Sequence, residues 1–203
     1  MKKILPIFSY LFHPIFISVF AVLYYFLVTN GYYNYETVYI YIIQTLIITV
    51  FIPIACFYLL VTLKKIDSIM VTNVSQRKIP LFIQILLCTS LLVKSFTLTS
   101  LPELFFFFLA TIFSSAIALI LAFTHRKISL HMLGISALTV FCIFCSIKFG
   151  FKNIAFLSLL ITLNGFVASS RLVMKAHTKT ELFLGYIIGA IPQLILLPLV
   201  YSI

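Results

Sequence analysis

An all-α bundle of about seven transmembrane helices is the fold class this sequence predicts, and three observations predict it. Of 203 residues, 63% are hydrophobic and only 9% are charged, with a mean hydropathy of +1.22. Apolar runs of about 20 residues, the length that crosses a hydrocarbon core, recur along the chain. The 14 Lys and Arg residues gather in the short polar segments between those runs. A soluble domain commonly carries charge on about a quarter of its residues. This chain has too little to clothe a surface in water, so its outward face suits lipid.

Taken in order, the first apolar run covers 11–29 and ends at the polar NGYYNYE. Met1, Lys2 and Lys3 resemble the start of a signal peptide, but no small-residue cleavage site follows, so a retained span is expected. The second run, 38–63, contains Pro53, a site for a kink. The polar connection at 64–79 is mildly amphipathic and is expected to lie in the interface plane. Further spans are predicted at 80–98, 103–123, 130–147, about 153–169 and 182–202, the last carrying Gly185, Gly189, Pro192 and Pro198. Gly185 and Gly189 form G-x-x-x-G, which permits close packing of helices within the bundle.

Cys142 and Cys145 form a C-x-x-C inside VFCIFCSI. With no ligand partners nearby, they read as small packing residues rather than a redox or metal pair. His13 before Pro14 reads as a helix-entry residue, and His125 beside Arg126 as a solvated one.

The formal charge of +10 points in a soluble chain to nucleic acid. Here the basic residues mark membrane orientation and anion binding instead, and no nucleic-acid partner is expected. Counting Lys and Arg in the loops puts the N-terminus inside and the C-terminus outside. With the three candidate site loops set aside except for Lys64 and Lys65, the count falls to four against three, so sidedness stays open. The phenylalanine-, isoleucine- and lysine-rich composition points to a bacterial inner membrane.

Three polar segments fall on one side of the helix map. They hold Arg77 and Lys78; Arg126, Lys127, Ser129 and His131; and Ser170, Arg171, Lys175, His177 and Glu181. Arginine forks match phosphate oxygens. Neutral histidine serves as nucleophile or, once protonated, as general acid near pH 7. Glu181 follows His177 by four residues, so on a helix the carboxylate holds one ring nitrogen and leaves the other free. Lys175 and Lys179 read as snorkelling residues at the interface. No spacing suited to a metal is present, and no cofactor is expected.

The third segment, SRLVMKAH followed by Glu181, resembles the S-R-x5-H-x3-D signature of the type 2 phosphatidic acid phosphatase (PAP2) superfamily. The middle segment, I-S-L-H, resembles that family's P-S-G-H, and R-K-I-P echoes K-x6-R-P through Arg77. The resemblance covers about residues 71–190. It divides the chain into an N-terminal two-helix extension over 1–70 and a PAP2-like helical core over 71–203.

What the resemblance implies is a lipid-phosphate phosphatase that works without metal. His177 is then the nucleophile, Glu181 its orienting acid and His131 the acid for the leaving alcohol. Arg77, Arg171, Ser129 and Lys127 bind the phosphoryl oxygens of a membrane lipid phosphate or polyprenyl phosphate. The chain departs from the signatures at four places: Met70 stands where the first has Lys, Ile128 and Leu130 replace Pro and Gly, and Glu181 replaces Asp. The alternative is a non-catalytic relative that binds anionic lipid or a protein partner through the same basic face. A small transporter with broken helices ranks last, because no inverted repeat is visible.

Overall fold

The computed structural model describes residues 4–67, 71 and 73–202. Lys2, Lys3 and the signature position Met70 lie outside the described residues. The chain is helical: α1 (Leu5–Leu11), α2 (Pro14–Val28), α3 (Tyr35–Leu46), α4 (Ile52–Thr62), α5 (Lys78–Lys94), α6 (Pro102–Phe123), α7 (Leu130–Lys148), α8 (Ile154–Val173) and α9 (Lys179–Leu196). A π-helical turn, Ile47–Phe51, joins α3 to α4. Short 3-10 turns precede α5 and follow α9. Six helical segments are long and apolar enough to cross a membrane, with α3 to α4 counted as one span; the bent pair α1–α2 makes a seventh.

That pair corrects the first predicted span. The run 11–29 is not one helix, because the chain breaks at His13–Pro14 and α1 leaves α2 at 67°. Proline has no N–H for an interior helical bond, so it starts α2 rather than continuing α1. His13 then caps α2, its Nδ1 accepting from the Ile15 N–H at 3.4 Å. α1 folds back on α8, with Phe8 stacked on Phe166 at 4.8 Å and the Ser9 and Ser170 hydroxyls 2.6 Å apart.

Pro53 acts differently. The π-turn just before it, in which the Ile52 N–H donates to the Ile47 carbonyl, shifts the hydrogen-bond register by one residue. The span Tyr35–Thr62 therefore stays in one piece. Pro192 sits inside α9, where its missing N–H leaves the Ile188 carbonyl free; the Ser114 hydroxyl of α6 donates to that oxygen at 2.9 Å. A polar side chain from a neighbouring helix thus fills the gap, as a bilayer requires. In the polar connection 64–79, the described residues are helical only at Ser75–Arg77 and at Lys78 and Ile79, where α5 begins.

The centre of the bundle is α7, the most buried span, flanked by α2, α8 and α9. Cys142 and Cys145 are free thiols buried in its core face beside Phe141 and Phe107. Gly185 and Gly189 let α9 lie directly on the first turns of α7. A Cβ at Gly185 would run into the Ser129 carbonyl, and one at Gly189 into the Leu133 carbonyl. At the far end of the bundle Lys148 pairs with Glu103 at 2.7 Å, and the Tyr25 hydroxyl donates to the same carboxylate at 3.0 Å. A buried carboxylate is costly unless paired, and here it has both a cation and a donor.

Gly189→Ala should destabilise the protein by about 1–3 kcal/mol, because the opposing atom is backbone and cannot swing aside. Gly165→Ala, where an added Cβ meets nothing within 4 Å in mid-helix, should stabilise it by about 0.5–1 kcal/mol. Thermal unfolding of both variants in detergent checks the pair.

Candidate functional site

Four helix beginnings face one end of the bundle: those of α2, α5, α7 and α9. Each carries unpaired N–H groups and a partial positive charge, which favours anions. The polar turns between them are built alike. After α4, α6 and α8 the chain turns through a left-handed residue, Lys64, His125 and Lys175, with φ of 55°, 57° and 51°. In the turn after α8 the Ala176 N–H reaches back to the Arg171 carbonyl and the Lys175 N–H to the Leu172 carbonyl. This is the helix-ending turn usually made with glycine. It sends the chain straight into His177 and α9.

His177 sits just before α9 with its side chain buried, and its Nδ1 lies 2.8 Å from Glu181 Oε2. Glu181 also closes a capping box, its carboxylate accepting from the Thr178 N–H while its own N–H donates to the Thr178 hydroxyl. One carboxylate therefore starts α9 and holds the imidazole. With Nδ1–H donating to Glu181, the neutral ring keeps a free lone pair on Nε2. Burial pushes the His177 pKa down to about 4, against the upward pull of the Glu181 hydrogen bond; Arg77, Lys127 and Arg171 push it further down. A neutral imidazole at pH 7 follows.

His131 lies in the first turn of α7, and its Nε2 donates to the Ser9 backbone carbonyl at 3.1 Å. That bond assigns the proton to Nε2 in the neutral ring and leaves Nδ1 with the free lone pair. The two histidines are thus each tied by one nitrogen: His177 by a carboxylate and His131 by a carbonyl of α1.

His131, His177, Arg77 and Arg171 line a single cavity of about 170 Å³. Its remaining walls are mostly apolar, including Pro53, Phe57 and Leu60 of α4 and Leu81 of α5. Leu130, the residue at the glycine position of P-S-G-H, is on the wall as well. Of the expected phosphate ligands, Arg171 is the least engaged. Its Nε is buried without a partner, and Nη1 meets only the Met174 sulfur at 3.7 Å. Arg77 is buried and spends Nε on the Val71 carbonyl at 3.1 Å and Nη1 on the Ile128 carbonyl at 2.9 Å.

Lys127 and Ser129 stand behind the cavity rather than on it. The Lys127 ammonium donates to the Ala176 carbonyl at 2.8 Å, tying the α6–α7 turn to the α8–α9 turn. Ser129 is fully buried, its hydroxyl accepting from the Met132 N–H as the cap of α7. Its own N–H donates to the Glu181 carbonyl at 3.1 Å. His125, Arg126, Lys175 and Lys179 are exposed.

Two residues outside the three polar segments join the site: Ser9, through its carbonyl, and His13, the helix-entry residue of α2. His13 lines the cavity, its ring 5.1 Å from that of His131 in an edge-to-face contact. Among the described residues, no group of three or more His, Cys, Asp or Glu side chains is arranged to hold a metal ion. Comparison with protein-family models, curated proteins and solved structures gave no match to this chain.

A depressed His177 pKa has a signed consequence. Between pH 6.5 and about 4 the unfolded chain takes up a proton at this ring and the folded chain does not. Stability should therefore fall as pH drops through that window and level off below it. His177→Asn should remove that part of the slope, which melting temperatures recorded from pH 7 to pH 4 would reveal.

Proposed function

We propose that this chain is an integral membrane phosphatase that hydrolyses a phosphomonoester or diphosphate on a membrane lipid through a histidine nucleophile. The observation that carries the reading is the buried His177–Glu181 pair at 2.8 Å on a cavity shared with His131, Arg77 and Arg171. The apolar walls of the same cavity fit a substrate with a hydrocarbon tail. The bacterial inner membrane, where polyprenyl and phosphatidyl phosphates occur, suits the composition.

In this reading the Nε2 lone pair of His177 attacks phosphorus, and the bond from phosphorus to the lipid oxygen breaks. His131 enters the step as the imidazolium, with a proton on each nitrogen; it gives the Nδ1 proton to the leaving oxygen while Nε2–H stays bonded to the Ser9 carbonyl. Water then attacks the phosphoryl group on His177, giving its proton to His131, and the P–N bond breaks to release phosphate. Glu181 stabilises the positive charge that develops on His177, as the carboxylate of a catalytic triad does. Arg171 and the remaining donors of Arg77 stabilise the equatorial oxygens.

A second reading, a non-catalytic relative that binds anionic lipid, draws on a different observation. Two Arg77 donors and the Lys127 ammonium already serve backbone carbonyls, and Leu130 occupies wall space beside His131.

Detergent-purified protein should release phosphate from lipid phosphates in the presence of EDTA. His177→Ala should abolish release, and His131→Ala should slow it by about 10²–10⁴-fold, the usual worth of a general acid. The acid limb of the rate should fall near pH 4 rather than near 6.5. Equal silence of wild type and variants on every lipid, with anionic lipid still bound, would favour the second reading.

A further inference from the structure

We propose that His13 is a ligand of the phosphoryl group, which makes the break between α1 and α2 a working part of the site. The inference rests on reading the cavity as a phosphoryl site and goes beyond it, since none of the three signature segments contains this residue. His13 stands on the same cavity wall as His131, Arg171 and His177, against the ring of His131. Its Nδ1 accepts from the Ile15 N–H, so the neutral ring carries its proton on Nε2. That nitrogen makes no hydrogen bond among the described residues.

The need for such a donor follows from what the other ligands are doing. Lys127 and Ser129 are bonded elsewhere, and Arg77 has two of its donors on backbone carbonyls. Arg171, with its unpartnered buried Nε, is the one freely available guanidinium on the wall. A phosphate carries more acceptor capacity than one guanidinium fills. His13 supplies a further N–H at the beginning of α2, where the helix end already favours an anion.

Position also explains the chemistry of the break. A straight helix through residue 13 would bond this residue's backbone within the helix and give no reason for its Nδ1 to turn back. With Pro14 opening α2, the imidazole caps the helix with one nitrogen and keeps the other as a donor. Asparagine at this position would keep the first task and lose the second, because its amide caps helices well and lacks the reach of the ring.

That separation gives the test. Inorganic phosphate and decyl phosphate are titrated by calorimetry into the detergent-solubilised full chain, as wild type, His13→Asn and His13→Ala. His13→Asn is expected to weaken both anions by about tenfold, the usual order for one hydrogen bond to a charged group, with an unchanged melting temperature. His13→Ala is expected to lose both affinity and some stability. Wild-type affinity in His13→Asn would overturn the proposal, as would a loss confined to decyl phosphate, which would put the residue on the alkyl chain.

A second measurement does not depend on any variant's fold. The chain has four histidines, so 15N-histidine spectra are simple to assign. Phosphate should move the His13 Nε2 resonance of the wild type, and a resonance unmoved at saturation would overturn the assignment. Phosphate binding that responds to His13 in a protein without turnover would uphold the ligand and sink the catalytic reading. A wild type that binds neither anion would sink both.

Discussion

The contact between α7 and α9 through Gly185 and Gly189 is the constraint on which the rest of the site depends. In lipid there is no hydrophobic force to press helices together, so close approach rests on small residues and on the dispersion and hydrogen bonds they allow. Here the approach is close enough that a backbone carbonyl of α7 occupies the space a side chain would need. The Ser129 N–H then reaches the Glu181 carbonyl, joining the start of one helix to the start of the other. Everything chemical follows from that joint. Glu181 is fixed by the capping box it closes, and His177 is fixed by Glu181, at one end of the cavity that His131 enters from α7.

A second fixed point comes from the N-terminal helix pair. α1 is pinned to α8 by Phe8 on Phe166 and by Ser9 on Ser170, and its backbone carbonyl at Ser9 holds His131. Hydroxyl pairs and carbonyls in a dry setting are worth more than in water, since an unmade bond there leaves a bare polar group. The serine of the S-R pair is therefore committed to packing, while the adjacent Arg171 is left toward the cavity. Neighbours in sequence divide structural and chemical tasks.

Much of this was legible in the residues. Apolar runs of membrane-crossing length locate the spans because lipid tolerates little else, and helix boundaries at 102, 130 and 154 fall within a residue of where polarity changes. The contact of His177 with Glu181 was foretold by their spacing but not for the right reason: His177 lies before the Thr178 cap rather than on the helix, and Glu181 reaches it from the capping box. The glycine pair foretold close packing of α9 within the bundle, though not that α7 is its partner. What stayed hidden depends on backbone and on long-range company. A carbonyl, such as that of Ser9, has no signature in a sequence. The diversion of Arg77 to Val71 and Ile128, and of Lys127 to Ala176, follows from where loops land. His13 was legible as an entry residue and does cap α2, but its approach to His131 was not, because that requires the bend at Pro14, which the apolar run concealed.

The central claim, that His177 is a nucleophile held ready by Glu181, is tested most directly by looking for the phosphoryl group on it. Wild-type protein mixed with a 32P-labelled lipid phosphate, quenched in alkali and digested should yield a base-stable, acid-labile label on the peptide containing His177. Release of phosphate without any label on that ring, or with the label on another residue, would contradict the account.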